Sequence, residues 1–170
     1  MFQVLQQNEL KHQHFSLRDD TKQHASTTDP KQMKTINEDK KVEMAKGCIL
    51  HVCTSCRPSG FSREPKEDRP GFILYRQLQE ALRASHLKDQ VEIKPAGCLS
   101  ICPRPCGIAI DSSWGWAYLF GDQQPNETTK EIIDCISYYL ETSNGLMARD
   151  KRPKALRSSI LGRIPFSARS

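Results

Sequence analysis

Gly97-Cys98-Leu99-Ser100-Ile101-Cys102-Pro103-Arg104-Pro105-Cys106 is the stretch that most constrains this chain. It places three cysteines at four-residue steps, with Pro103 and Pro105 between the last two and a glycine on either flank (Gly97 and Gly107). A second group, His51-Val52-Cys53-Thr54-Ser55-Cys56, lies upstream. Five of the seven cysteines therefore fall into two short clusters more than forty residues apart. A fold for this chain has to say whether those clusters meet.

The order of elements around them gives an answer. Cys48-Ile49-Leu50-His51-Val52 is a short β-rich run and predicts a first strand. Arg57 to Arg69, with Pro58, Gly60, Pro65 and alternating charges, predicts a mobile loop that Pro70-Gly71 closes. From Phe72 to Leu87, Leu74, Leu78 and Leu82 recur every fourth place, the stripe of an amphipathic helix. Val91 to Lys94 alternates as a strand, and Pro95 is expected to end it. The cysteine-rich stretch is expected as one tight helical turn between Gly97 and Pro103. Gly107 to Asp111 predicts a third strand and Ser112-Ser113 a turn. Trp114 to Phe120 then predicts a fourth strand, with Trp114, Trp116, Tyr118 and Phe120 on one face. Thr128 to Leu140 predicts a second helix, capped by Asn126 or Thr128. The result is an α/β domain of order β-α-β-β-β-α. A strand–helix–strand unit pairs its strands in parallel, so both cysteine groups follow strands that end at the same edge of the sheet, the edge where open α/β sheets hold ligands.

The chain's 170 residues suit one domain with tails. Residues 1–46 are rich in Gln, Lys, Asp, Thr and His without a sustained period, and a disordered tail is expected there. Residues 47–145 form the expected domain, and 146–170 a basic C-terminal extension. The first two segments are nearly balanced in charge; the extension carries seven basic residues against one acidic, which accounts for the net +5. No apolar run is long enough to span a bilayer, and Met1 to Glu9 has no signal-peptide character. A cytoplasmic address is expected, where thiols stay reduced and clustered cysteines point to metal or redox chemistry before structural disulfides. The extension, Arg149 to Arg169, with Ile160, Leu161 and Ile164, is expected either to meet a redox or metal-handling partner of acidic surface or to fold back on the sheet. It lacks the aromatic platforms of nucleic-acid binders.

Three chemistries fit the clustered thiols. An iron–sulfur cluster takes about four converging thiolates. Zinc also accepts four, commonly from paired CxxC-like motifs. A thiol–disulfide enzyme needs one CxxC, usually at a helix N-terminus; here Cys53-Thr54-Ser55-Cys56 runs into the proline-rich loop, which counts against the third. Cys53, Cys56, Cys98, Cys102 and Cys106 are the candidate ligands. Arg57 and Arg104, each beside a candidate, are candidate cations toward a negatively charged centre, with Lys94 close in sequence. Cys48 and Cys135 are assigned to the core, and His51, on the face of Cys53, to local packing. No nucleophile–base pair, phosphate loop or paired carboxylate is found, so turnover chemistry is not expected.

Gly97-Cys98-Leu99-Ser100-Ile101-Cys102, between a strand and the strand Gly107–Ile110, resembles the second half of the thioredoxin-like [2Fe–2S] ferredoxins. The chain from about Cys48 to Pro165 is also similar to a bacterial family of predicted metal-binding proteins. That likeness rests on His-x-Cys-x-x-Cys, Cys-Leu-Ser-x-Cys-x-x-Pro-Cys, Tyr-Leu-Phe-Gly and an Arg-Pro-x-x-Leu-Arg tail. The resemblance implies a thioredoxin-like fold and a [2Fe–2S] cluster, with zinc as the alternative occupant. It implies Cys53 as first ligand and Cys98 and Cys102 as the last two. The ferredoxin pattern puts its second ligand about ten residues after the first, which Cys56 does not satisfy, so Cys56 and Cys106 both stand as candidates for that place. Cys106 falls near the position where thioredoxin-like folds carry a cis-proline.

Overall fold

The computed structural model describes residues 46–167; the disordered tail expected at 1–46 lies, but for Lys46, outside the described residues. The first strand, β1 (Cys48–Cys53), leads through a long loop with a single 3-10 turn to helix α1 (Pro70–Arg83). Strands β2 (Val91–Ala96), β3 (Ile108–Asp111) and β4 (Ala117–Phe120) follow. Helix α2 (Thr129–Glu141), a one-turn helix α3 (Lys154–Ser158) and strand β5 (Ile160–Ile164) complete the chain. The sheet runs β2-β1-β3-β4-β5, with β1 and β2 parallel and every other neighbouring pair antiparallel. The expected β-α-β-β-β-α order of an α/β domain is thus present, followed by α3 and by β5, which joins the sheet at its outer edge.

Alternation along each strand builds the core. Leu50, Val52, Ile108, Ile110, Tyr118 and Phe120 are sealed on one face. Leu74, Leu78 and Leu82 of α1 and Ile132, Ile136 and Tyr139 of α2 pack onto them, each helix burying its four-residue stripe. Pro70 occupies the first turn of α1, where a missing amide costs nothing. Two local expectations are corrected. Pro95 does not end β2: the strand continues to Ala96 because β2 is an edge strand, and a proline there forfeits no ladder bond on its open side. The fourth strand starts at Ala117 rather than Trp114, since the amide of Trp116 is bonded to the Asn144 carbonyl (2.9 Å) instead of to a strand. Trp114 packs on Tyr139 of α2, with ring centroids 5.1 Å apart.

The extension supplies more than charge. β5 zips onto β4, Leu156 is wholly buried, and Met147 lies in the core with its amide donated to the Tyr118 hydroxyl (2.8 Å). Cys48 and Cys135 are buried free thiols, and burial pushes each up to about 12. The folded chain thus keeps protons that the unfolded chain gives up above about pH 8.5. Their stabilisation is intact below that pH and drains away as pH rises from about 8.5 towards 12, by about 1.4 kcal/mol per pH unit for each thiol. Urea midpoints are expected to fall steeply from pH 8.5 to 11, and less steeply for Cys135→Ala.

Candidate metal centre

β1 carries Cys53 to the sheet edge. By alternation its side chain leaves the sheet on the side of Ile49 and His51, opposite Leu50 and Val52, yet only 2% of it is exposed. Backbone ties explain the cover. The Cys53 amide donates to the Gly107 carbonyl (2.9 Å), and the next amide, that of Thr54, donates to the Ala96 carbonyl (2.8 Å) at the end of β2. The Thr54 hydroxyl donates to the same carbonyl (3.1 Å). Cys56 is pinned from two directions: its carbonyl accepts the Gly71 amide of α1 (3.0 Å), and its sulfur accepts the Gly107 amide (3.4 Å). Cys106, immediately before Gly107, is buried beside them.

The three buried thiols feel one another. A hydrogen bond from the Cys56 thiol, and after it the amides of Leu99, Ser55 and Cys56, hold Cys53 well below the usual thiol range against the penalty of burial. The same bond, together with burial, drives Cys56 far above it. Burial, helped by the charge on Cys53, pushes Cys106 up to about 12. Of the set, Cys53 is the thiol held lowest, the direction that favours the thiolate by which sulfur binds metals.

Cys98 and Cys102 are exposed. The expected helical turn between Gly97 and Pro103 is absent: the stretch is a series of bends and turns, with Ser100 at φ +55° and its amide donated to the Cys98 sulfur (3.3 Å). A serine in left-handed backbone, flanked by Gly97 and Pro103, cannot propagate a helix. The loop nevertheless reaches the first group: a Cβ on Gly107, whose carbonyl accepts the Cys53 amide, would lie 2.1 Å from Ile101 Cδ1 and 3.6 Å from Leu99 Cδ1. The two cysteine groups thus share one edge of the sheet as a buried trio and an exposed pair. Among the described residues, no three His, Cys, Asp or Glu side chains converge tightly enough to grip a single ion. The Pro105–Cys106 peptide is cis.

The expected cations are partly spoken for. Arg104 pairs with Asp122, Lys94 pairs with Glu92 (3.1 Å), and Arg57 is half-buried without an ion pair among the described residues. A concavity of about 1160 Å³ lies at the other end of the sheet along Gly47, Ile49, Val91, Asp111, Ala117 and Ile164, and none of the five clustered cysteines lines it.

Gln123 went unnoticed in the sequence. It is 2% exposed, its backbone exchanges two hydrogen bonds with Cys106 (3.2 and 3.1 Å), and its side-chain amide donates to the Ser159 hydroxyl (3.0 Å) and the Gly121 carbonyl (2.5 Å). A lone glutamine between strand and helix carries no pattern that would flag it. Gln123→Ala is expected to destabilise the fold by about 1–3 kcal/mol and to hasten iodoacetamide labelling of Cys106, read by mass spectrometry.

Residues 50–166 match a family model described as "Protein of unknown function (DUF1636)". No curated protein matches the chain. Among solved structures, the chain is similar to a thioredoxin-like [2Fe–2S] ferredoxin from Aquifex aeolicus, at 18% identity and a TM-score of 0.47 over 70% of this chain and 94% of that one. A second structure of the wild-type thioredoxin-like [2Fe–2S] ferredoxin from Aquifex aeolicus aligns at 13% identity and a TM-score of 0.46, over 69% of this chain and 99% of the other. No helix among the described residues is long and apolar enough to cross a membrane.

Proposed function

We propose that this chain, which belongs to the family described as "Protein of unknown function (DUF1636)", is a cysteine-ligated metal protein whose centre is a [2Fe–2S] cluster, and that it works as a one-electron carrier or cluster carrier. The observation that carries this reading is the seating of Leu99 and Ile101 on Gly107, whose carbonyl accepts the Cys53 amide and whose amide donates to the Cys56 sulfur, so that two thiol-bearing loops distant in sequence meet at one sheet edge. Cys53, Cys98 and Cys102 would hold the centre, with Cys56 or Cys106 as the fourth ligand. When bound, a two-iron cluster supplies one-electron chemistry.

The chain's own residues prepare that site. The Gly107 amide donates to the Cys56 sulfur, and the amides of Leu99 and Ser55 help to hold the Cys53 thiol below its usual range; such donors temper thiolate charge. The sheet edge and the N-terminus of α1 exclude water from the inner thiols. A set divided into a buried trio and an exposed pair is spread wider than four thiolates around one tetrahedral ion, and this supports a polynuclear centre over zinc. Anaerobic reconstitution with iron and sulfide, followed by elemental analysis and visible spectra, tests the reading. Brown protein bleached by dithionite upholds it, and colourless protein with stoichiometric zinc overturns it.

One observation favours a second reading, a CxxC thiol–disulfide oxidoreductase. Although fourteen residues separate Cys56 from Gly71, the loop returns so that the N-terminus of α1 sits on the Cys56 carbonyl, and helix N-termini activate thiolates. Metal-free protein that cycles a Cys53–Cys56 disulfide would establish it.

A further inference from the structure

The extension was legible as a basic segment; its position relative to the cysteine end was not. Ser159, which closes α3, accepts the Gln123 side-chain amide (3.0 Å) and offers its carbonyl to the Gly121 amide (2.9 Å), while Gln123 is paired with Cys106 through its backbone. A Cβ on Gly121 would lie 2.8 Å from that of Arg104 and 3.1 Å from Leu161, so the cysteine loop and the start of β5 both close on Gly121. At its other end α3 is fixed to the first turn of α2, where Glu131 accepts the Ala155 amide (2.6 Å). Ser159, two residues beyond the segment 149–157, is thereby two hydrogen-bond links from Cys106.

Its charge is one-sided. Arg149, Lys151, Lys154 and Arg157 are exposed and form no ion pair among the described residues, against the single acid Asp150. Arg157 braces the turn by donating to the carbonyls of Arg152 (2.6 Å) and Asp150 (2.8 Å), which leaves its charge uncompensated. Beneath them Arg152 is 7% exposed, with Nε and Nη1 lacking any partner. An unpaired buried guanidinium is costly to hold, and it adds to the positive potential over this surface.

Resting on the metal-centre reading, we propose that Arg149, Lys151, Lys154 and Arg157 form the docking face for the protein that exchanges electrons or cluster with the cysteine end, and that this partner presents a carboxylate-rich surface. The start of β5 lies, through Phe120 and Ile108, at the end of the sheet that carries the cysteines, and a cationic face there steers such a surface toward the site. The occupant is an acidic protein rather than nucleic acid or lipid because, among the described residues, no aromatic stacking platform accompanies the cations and Leu146 is the one exposed large apolar residue close to them in sequence, too little for a face that enters a bilayer.

The test uses the full chain and poly-L-glutamate as the probe, with binding followed by titration calorimetry and the rate of Cys98 and Cys102 alkylation followed by mass spectrometry. Arg149→Glu/Lys151→Glu/Lys154→Glu, which spares the bracing Arg157, is expected to weaken binding at least about tenfold. It is also expected to abolish probe-dependent protection of the two thiols. The control Arg76→Glu/Arg83→Glu/Lys88→Glu, on and after α1, is expected to change neither. Equal loss in both variants, or binding without thiol protection, overturns the proposal. So does tighter binding of duplex DNA or phosphatidylserine vesicles through the same three residues. Because docking is read on metal-free chain, its failure is separate from a failure to bind iron.

Discussion

Serine in place of Cys53 is expected to leave a folded chain that no longer retains iron and sulfide. Cys53 sits where the two loops meet: its amide donates to the Gly107 carbonyl, and Leu99 and Ile101 of the other loop rest on Gly107. It is also the thiol of the buried trio held below its usual range, whereas Cys56 and Cys106 are pushed above theirs. A serine hydroxyl fills nearly the same space, so the fold survives at a cost of about 1–2 kcal/mol, but it stays protonated and is a hard donor where a soft one is needed. Bound iron is expected to drop by at least about tenfold, the scale that loss of even an outer-shell partner produces. Cys56→Ser and Cys106→Ser are expected to lose less, since each leaves the other thiol in place. Full iron content and an unchanged visible spectrum in Cys53→Ser would remove the basis of the proposed function.

Gly71→Ala is the second large effect, and it acts through the backbone. A Cβ at Gly71 would sit 2.2 Å from the Cys53 carbonyl oxygen, 3.0 Å from the Cys56 Cβ and 3.1 Å from the Cys56 amide nitrogen. These are main-chain atoms and a Cβ held in the turn between β1 and α1, so they cannot swing aside as the tip of a long side chain would. Relief requires α1 to back away from the cysteine turn, breaking the Gly71-to-Cys56 hydrogen bond. A destabilisation of about 3 kcal/mol is expected, together with faster labelling of Cys53 and Cys56 under native conditions. Gly97→Ala is the control, because nothing lies within 4 Å of a Cβ there, and its urea midpoint is expected to stay within about 0.5 kcal/mol of wild type. If Gly71→Ala matched wild type in both readouts, the close seating of α1 on the cysteine turn would be wrong.

The fold was legible where periodicity was strong. Leu74, Leu78 and Leu82 announce α1, and Ile132, Ile136 and Leu140 announce α2, because a helix that buries one stripe has to repeat it. The parallel pairing of β1 with β2, which brings the cysteine groups to one edge, follows from crossover handedness rather than from any single residue. What was not legible was set by contacts between distant backbone atoms. Ser100 in left-handed backbone breaks the turn expected around Cys98 and Cys102. The return of α1 onto Cys56 depends on the path of a loop with little period of its own. Gln123 acts through its neighbours' amides, and Pro95 is permitted within β2 only because that strand is at the edge.

The link from Ser159 through Gln123 to Cys106 has a consequence for the order of events during synthesis. All the clustered thiols leave the ribosome well before β5, yet the edge that shelters Cys106 is completed only when β5 and the serine preceding it have emerged. A nascent chain arrested after α2 would display its cysteines without that outer brace, exposed to adventitious metal and oxidant. On the metal-centre reading proposed above, loading is expected to follow elongation through Ile164, and a pulse of iron given during translation should reach this protein later than it reaches one whose ligands are enclosed by local structure alone.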